Sequence, residues 1–203
     1  MIRVHYRSVT LLLALVTLVA GCGVQSQRPS QLFVLAPTAS ATVVATSSKP
    51  PALVIGPINL PAYTERTAIL SLQGPSALVA APAARWAEPL DKNFARVLVE
   101  NISLLLNNEQ VTALGGVTAA DHVQVVIDVT EFVATADGQA LLTAYWQILG
   151  SDGHSVLASH KTHYQEAAQD KGTGALVAAM SRTLASLSKD IAQAVSAAQV
   201  ELK

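Results

Sequence analysis

Between His122 and Gln165, apolar and polar residues alternate with a period of two in three runs, 122–134, 139–150 and 154–165. The runs are separated only by Ala136-Asp137-Gly138 and Ser151-Asp152-Gly153. Such alternation turns every second side chain to the same face of a strand. Each Asp-Gly pair supplies the positive φ that a tight hairpin turn needs. The three runs predict an antiparallel meander with one apolar face to cover.

Two segments of different period supply the cover. Leu90, Phe94, Val97, Leu98, Ile102 and Leu105 fall on one face of a helix over about 89–107. Pro89 suits its first turn, and Glu88 and Asp91 suit the positive end of its dipole. Asn107-Asn108 supplies the stop, and the Asn101-Ile102-Ser103 sequon falls mid-helix by accident. A second stripe, Leu176, Met180, Leu184, Leu187, Ile191 and Val195, predicts a helix over 174–198 that lies on the sheet.

Upstream, 31–36 is a short apolar run stopped by Pro37 and reads as a first, buried strand. Residues 38–49, rich in Ser, Thr and Ala and ended by Pro50-Pro51, read as a loop. Residues 52–58 read as a second strand with a Gly56-Pro57 break. Residues 67–72 and 76–80 flank Gln73-Gly74-Pro75-Ser76, a hairpin junction. The expected fold is a single α/β domain: a mixed, mostly antiparallel sheet with a β-meander and two long amphipathic helices packed on it.

The chain begins with basic residues (Arg3, Arg7), an apolar run from Val9 to Ala20, and Leu18-Val19-Ala20-Gly21-Cys22. This order is that of a bacterial lipoprotein signal peptide, with a lipobox ending in the lipidated cysteine. The apolar run is too short to cross a hydrocarbon core of about 30 Å, which takes about 20 residues. The predicted organisation is a signal peptide over 1–21, lipidated Cys22 with a flexible tether over 22–30, and one domain over 31–203. Cys22 is the only cysteine, so acylation leaves no thiol for disulfides, metal binding or nucleophilic catalysis. Several acyl chains on one cysteine anchor firmly, since each buried CH₂ contributes about 0.8 kcal/mol. Gly23 and Val24 follow the cysteine in place of the Asp that retains such lipoproteins in the inner membrane, so the periplasmic face of the outer membrane is expected.

Removing residues 1–21 from the 203 leaves 182, enough for one real core. The leader holds two of the 13 basic residues and none of the 14 acidic ones, so the mature chain carries 11 against 14, a net charge of about −3. With no basic stripe and no interleaved aromatics, a nucleic-acid partner is not expected. No G-x-S-x-G elbow, P-loop, dinucleotide fingerprint or H-E-x-x-H occurs, so neither an enzyme nor a cofactor is expected. His160 and His163, three apart on a strand, point to opposite faces and cannot chelate one ion.

One constellation remains. Arg85-Trp86-Ala87-Glu88-Pro89-Leu90-Asp91-Lys92-Asn93-Phe94 gathers a large aromatic, charges and a helix start. As a bare pattern it reads first as a cap and core contact and second as an interaction site, with Arg85, Trp86, Glu88, Pro89 and Asn93 as its candidates. Together with Ile55-Gly56-Pro57-Ile58-Asn59-Leu60-Pro61-Ala62-Tyr63, Arg66, Phe33-Val34-Leu35, Glu100-Asn101 and Leu176-Val177-Ala178-Ala179-Met180-Ser181, it resembles the ABC-type transport auxiliary lipoproteins, the PqiC/YmbA family. A departure follows Gly74, where Ala77-Leu78-Val79-Ala80-Ala81-Pro82-Ala83-Ala84 stands in place of more polar residues.

The resemblance implies a mixed-sheet α/β domain with helices on its faces. It also implies an outer-membrane lipoprotein of an intermembrane lipid transport system, docking as a homo-oligomer to an inner-membrane MCE-domain protein and its transporter subunits. Two other roles fit the residues alone: a stand-alone lipid or small-molecule binder, and an outer-membrane activator of cell-wall synthases.

Overall fold

The computed structural model describes residues 29–40, 52–116 and 122–201. The expected signal peptide, Cys22 and most of its tether lie outside the described residues, as does 41–51 of the expected loop. Among the described residues, eight strands form one sheet: β1 (Gln31–Phe33), β2 (Ala52–Asn59), β3 (Ala68–Gln73), β4 (Ala77–Trp86), β5 (Val111–Ala113), β6 (His122–Thr135), β7 (Gln139–Leu149) and β8 (Val156–Ala167). A short 3₁₀ turn occupies Ala62–Glu65, and the helices are α1 (Leu90–Leu106) and α2 (Thr173–Glu201).

The meander appears as expected, with β6, β7 and β8 joined by the two longest ladders, both antiparallel. Along β7 the side chains of Ala140, Leu142, Ala144, Trp146 and Ile148 are buried, and those between them are not. Both helices take that one face, packed against each other; α2 covers β6 to β8, and α1 reaches β2 and β5. Phe94 of α1 meets Phe132 of β6 edge to face at 5.1 Å in the middle of the core. α1 ends where Asn107 adopts a left-handed conformation and its N–H reaches back to Ser103 and Leu104.

The second edge of β6 is divided. Its first half pairs in parallel with β2, and its last residues pair in parallel with β3, so the sheet forks into a β2–β5 branch and a β3–β4–β1 branch. A bulge lies at the fork, between Val129 and Glu131. It shifts the inward set from Val125, Ile127 and Val129 to Phe132 and Ala134, which keeps both halves facing the core. The Phe132 N–H, which lies between the two ladders, donates instead to the Tyr63 hydroxyl at 2.9 Å. Burial raises the Tyr63 pKa, so this hydroxyl stays protonated.

The 31–36 run departs from expectation. Only Gln31–Phe33 is a strand, and it is an exposed edge strand paired in parallel with Ala84–Trp86. The chain then continues without regular structure over the helical layer, and Leu35 is fully buried there.

Candidate functional site

The fork has a mouth where β2 and β4 both end. Ile58, Asn59 and Leu60 from the end of β2, Thr64 to Thr67 around the 3₁₀ turn, and the run from Trp86 to Asp91 enclose an open cleft of about 660 Å³. The two sequence segments singled out above thus form opposite walls of one depression. Its floor is apolar, through Ile58, Leu60, Trp86 and Leu90, and its rim carries Glu65, Arg66, Glu88 and Asp91. Ile58 and Asp91 also border a second hollow of about 540 Å³ along α1, which includes Ala95, Val99 and Leu114, so the depression continues as a trough.

The backbone around the cleft is fixed from several sides. The Trp86 N–H donates to the Thr67 carbonyl at 2.8 Å, and the Ala87 N–H to the Phe33 carbonyl at 2.9 Å, which ties the end of β4 to β3 and β1. Thr64 Oγ1 donates to the Pro61 carbonyl at 2.7 Å and closes the 3₁₀ turn. Gly56 sits at φ 122°, and a Cβ there would stand 3.0 Å from that of Leu114, so both conformation and space call for glycine. Its carbonyl accepts from Gln124 Nε2 at 2.7 Å.

The five candidate residues divide by position. Trp86, Glu88 and Pro89 line the cleft. Trp86 is buried, Pro89 is exposed at the helix start, and Glu88 accepts from Arg96 at 3.0 Å, while Arg96 also bridges to Glu100 at 3.1 Å. Exposed bridges of this kind contribute little stability, so their effect is to set the shape of the rim. Arg85 lies outside the lining, with Nη1 3.5 Å from Thr67 Oγ1.

Asn93 faces the interior, 1% exposed. Its Oδ1 accepts the Leu35 N–H at 2.6 Å and its Nδ2 donates to the Leu35 carbonyl at 3.3 Å. Two turns on, buried Asn101 accepts the Ala39 N–H at 3.2 Å and donates to Ser188 Oγ of α2 at 3.3 Å. Ser181 of α2 accepts the Ala36 N–H at 3.2 Å, and Thr38 Oγ1 donates to the Ser181 carbonyl at 3.3 Å. A polar seam between the helices thus binds the backbone of residues 35–39, which has no strand partner among the described residues. We expect Asn93→Ala to cost about 1–3 kcal/mol in urea unfolding, because it strands the buried N–H and carbonyl of Leu35. A loss of a few tenths would show that water reaches them.

His160 and His163 lie on opposite faces of β8: His160 stacks on Trp146 at 4.4 Å, and His163 Nδ1 is 2.8 Å from Thr143 Oγ1. Among the described residues no three His, Cys, Asp or Glu side chains gather closely enough to hold a metal ion. No described helix is long and apolar enough to cross a membrane. The arrangement is an apolar-floored, polar-rimmed cleft.

Residues 33–192 match the family described as ABC-type transport auxiliary lipoprotein component. Among solved structures, the chain is similar to protein XCC0632 from Xanthomonas campestris, of family DUF330, with 18% identity, a TM-score of 0.69 and coverage of 84% of this chain and 99% of that one. It is also similar to a crystal structure described only as an uncharacterized protein, with 18% identity, a TM-score of 0.66 and coverage of 82% and 98%. At these identities the two structures support the fold alone. No curated protein matches the sequence.

Proposed function

Because the chain belongs to the ABC-type transport auxiliary lipoprotein family, we propose that it is a non-catalytic, lipid-anchored adaptor on the periplasmic face of the outer membrane. In this reading it docks to the distal end of an inner-membrane MCE-domain protein whose transporter subunits move lipids between the membranes. The family match carries the reading, and the cleft gives it a surface. Its floor of Ile58, Leu60, Trp86 and Leu90 suits an apolar anchor of a partner, and the mixed charges of its rim suit a polar border. A tether of about eight residues spans only about 15 Å on average, so a protein that links the two membranes must come to the domain. Docking as a homo-oligomer would match the symmetry of the partner's end.

The reading predicts that the domain without its signal peptide captures the MCE protein from detergent-solubilised envelopes and forms a defined oligomer in size-exclusion light scattering. A strictly monomeric domain that captures none would overturn it. Stoichiometric lipid bound in such a monomer would favour a stand-alone lipid carrier instead.

A further inference from the structure

From Thr67 to Ala84 the chain runs for 18 residues without a charge, bounded by Arg66 and Arg85. This stretch is the β3–β4 hairpin. At its tip, Leu78 and Val79 leave opposite faces of β4, yet they are 39% and 41% exposed, so the described residues leave both faces partly open; Leu78 borders a hollow lined also by Tyr63, Arg66 and Leu70. Beyond the short pairing with β1, Ala77–Ala83 also has no strand partner other than β3 among the described residues. An apolar element left open on both faces and one edge calls for an occupant.

Strand addition by a second copy is opposed by the edge itself. Pro82 has no N–H to offer, Ala83 sits at φ 54°, and the register jumps from Leu70↔Ala80 to Ala68↔Arg85, which breaks the ladder. The position of the membrane anchor points to a different occupant. β1 is parallel to β4, with Gln31 opposite Ala84, and Ser30 Oγ donates to the Ala83 carbonyl, so the chain before Gln31 arrives from the tip side of the hairpin. Cys22 stands eight residues before Ser30. Those residues span about 15 Å as a coil and up to about 27 Å extended. The seven steps of β4 from Ala84 back to Ala77 cover about 23 Å, so the anchor lies within reach of the tip.

We infer that the tip of the β3–β4 hairpin, with Leu72, Leu78 and Val79, rests in the lipid interface beside the acylated Cys22. It forms a second, noncovalent membrane contact that orients the domain. The hairpin tip carries no charge of its own; the carboxylate of Asp137, which follows the Ala136 whose N–H donates to the Leu72 carbonyl at 2.9 Å, is exposed and stays in the headgroup water. The cleft lies at the other end of β4, so this orientation turns it away from the bilayer and toward an arriving partner. The inference rests on reading Cys22 as acylated.

The test uses the mature lipoprotein, where acylation of Cys22 leaves an introduced cysteine as the only free thiol. Leu78→Cys, Val79→Cys and Val156→Cys, the last at the opposite end of the sheet, are labelled with an environment-sensitive fluorophore. They are then reconstituted in phosphatidylethanolamine–phosphatidylglycerol vesicles that carry nitroxide-labelled lipid. The expected result is quenching at 78 and 79 at least about threefold above that at 156. Equal, weak quenching at all three positions in protein that floats with the vesicles overturns the hairpin contact and leaves the anchor reading intact. Cross-linking between copies through Leu78→Cys, without lipid quenching, overturns it in favour of a second copy. Protein that does not float refutes the anchor, and this inference with it.

Discussion

Phe94→Ala is expected to lower the stability of the domain by about 3–5 kcal/mol. Phe94 is fully buried and meets Phe132 edge to face where α1 crosses the fork of the sheet. Truncation removes the apolar burial and the ring contact, and it leaves a cavity between elements pinned on several sides, which limits collapse. For a domain of this size the melting temperature should fall by roughly 6–20 °C. A fall of a degree or two would show that this face of α1 is not the centre of the core.

Cys22→Ala should abolish acylation outright. Cys22 is the only thiol in the chain and ends the segment read as a lipobox, so on that reading no second cysteine can substitute. Radiolabelled palmitate should enter the wild-type protein and not the variant, and the variant should leave the membrane fraction. Label retained in the variant would remove the basis for the anchor and for the orientation built on it.

The sequence revealed parts of the fold whose cause is local. The meander and both helices could be read because each period reports one element's own buried face, and Asp137-Gly138 and Asp152-Gly153 mark their turns within the chain. The parallel ladders could not be read. β2–β6, β3–β6 and β1–β4 join residues 50 or more positions apart, and nothing in a strand's own pattern names its distant neighbour. The fork left one trace, the phase change from Val125, Ile127 and Val129 to Phe132 and Ala134. The 31–36 run looked like a buried strand because Leu35 is indeed buried, but Asn93 takes the Leu35 backbone groups that a ladder would have used.

The cleft was legible only as two separate segments, Ile58–Leu60 and Trp86–Asp91, whose meeting depends on the fork. The seam between the helices was missed, although its signal was present. Asn93, Val97 and Asn101 recur every four residues in the apolar stripe of α1, and Ser181 and Ser188 sit in that of α2. Polar residues in a stripe that must be buried announce hydrogen-bond partners from elsewhere in the chain.

On the proposed reading, the domain stands between a membrane on its hairpin side and a protein at its cleft. Photocrosslinking in intact envelopes tests it most directly. A photoreactive amino acid replaces Asn59, which lines the cleft, or Val156 on the outer strand of the meander; both positions are exposed. An adduct with the MCE-domain protein is expected from position 59 and none from position 156. No MCE adduct from position 59, or equal adducts from both positions, would contradict that reading.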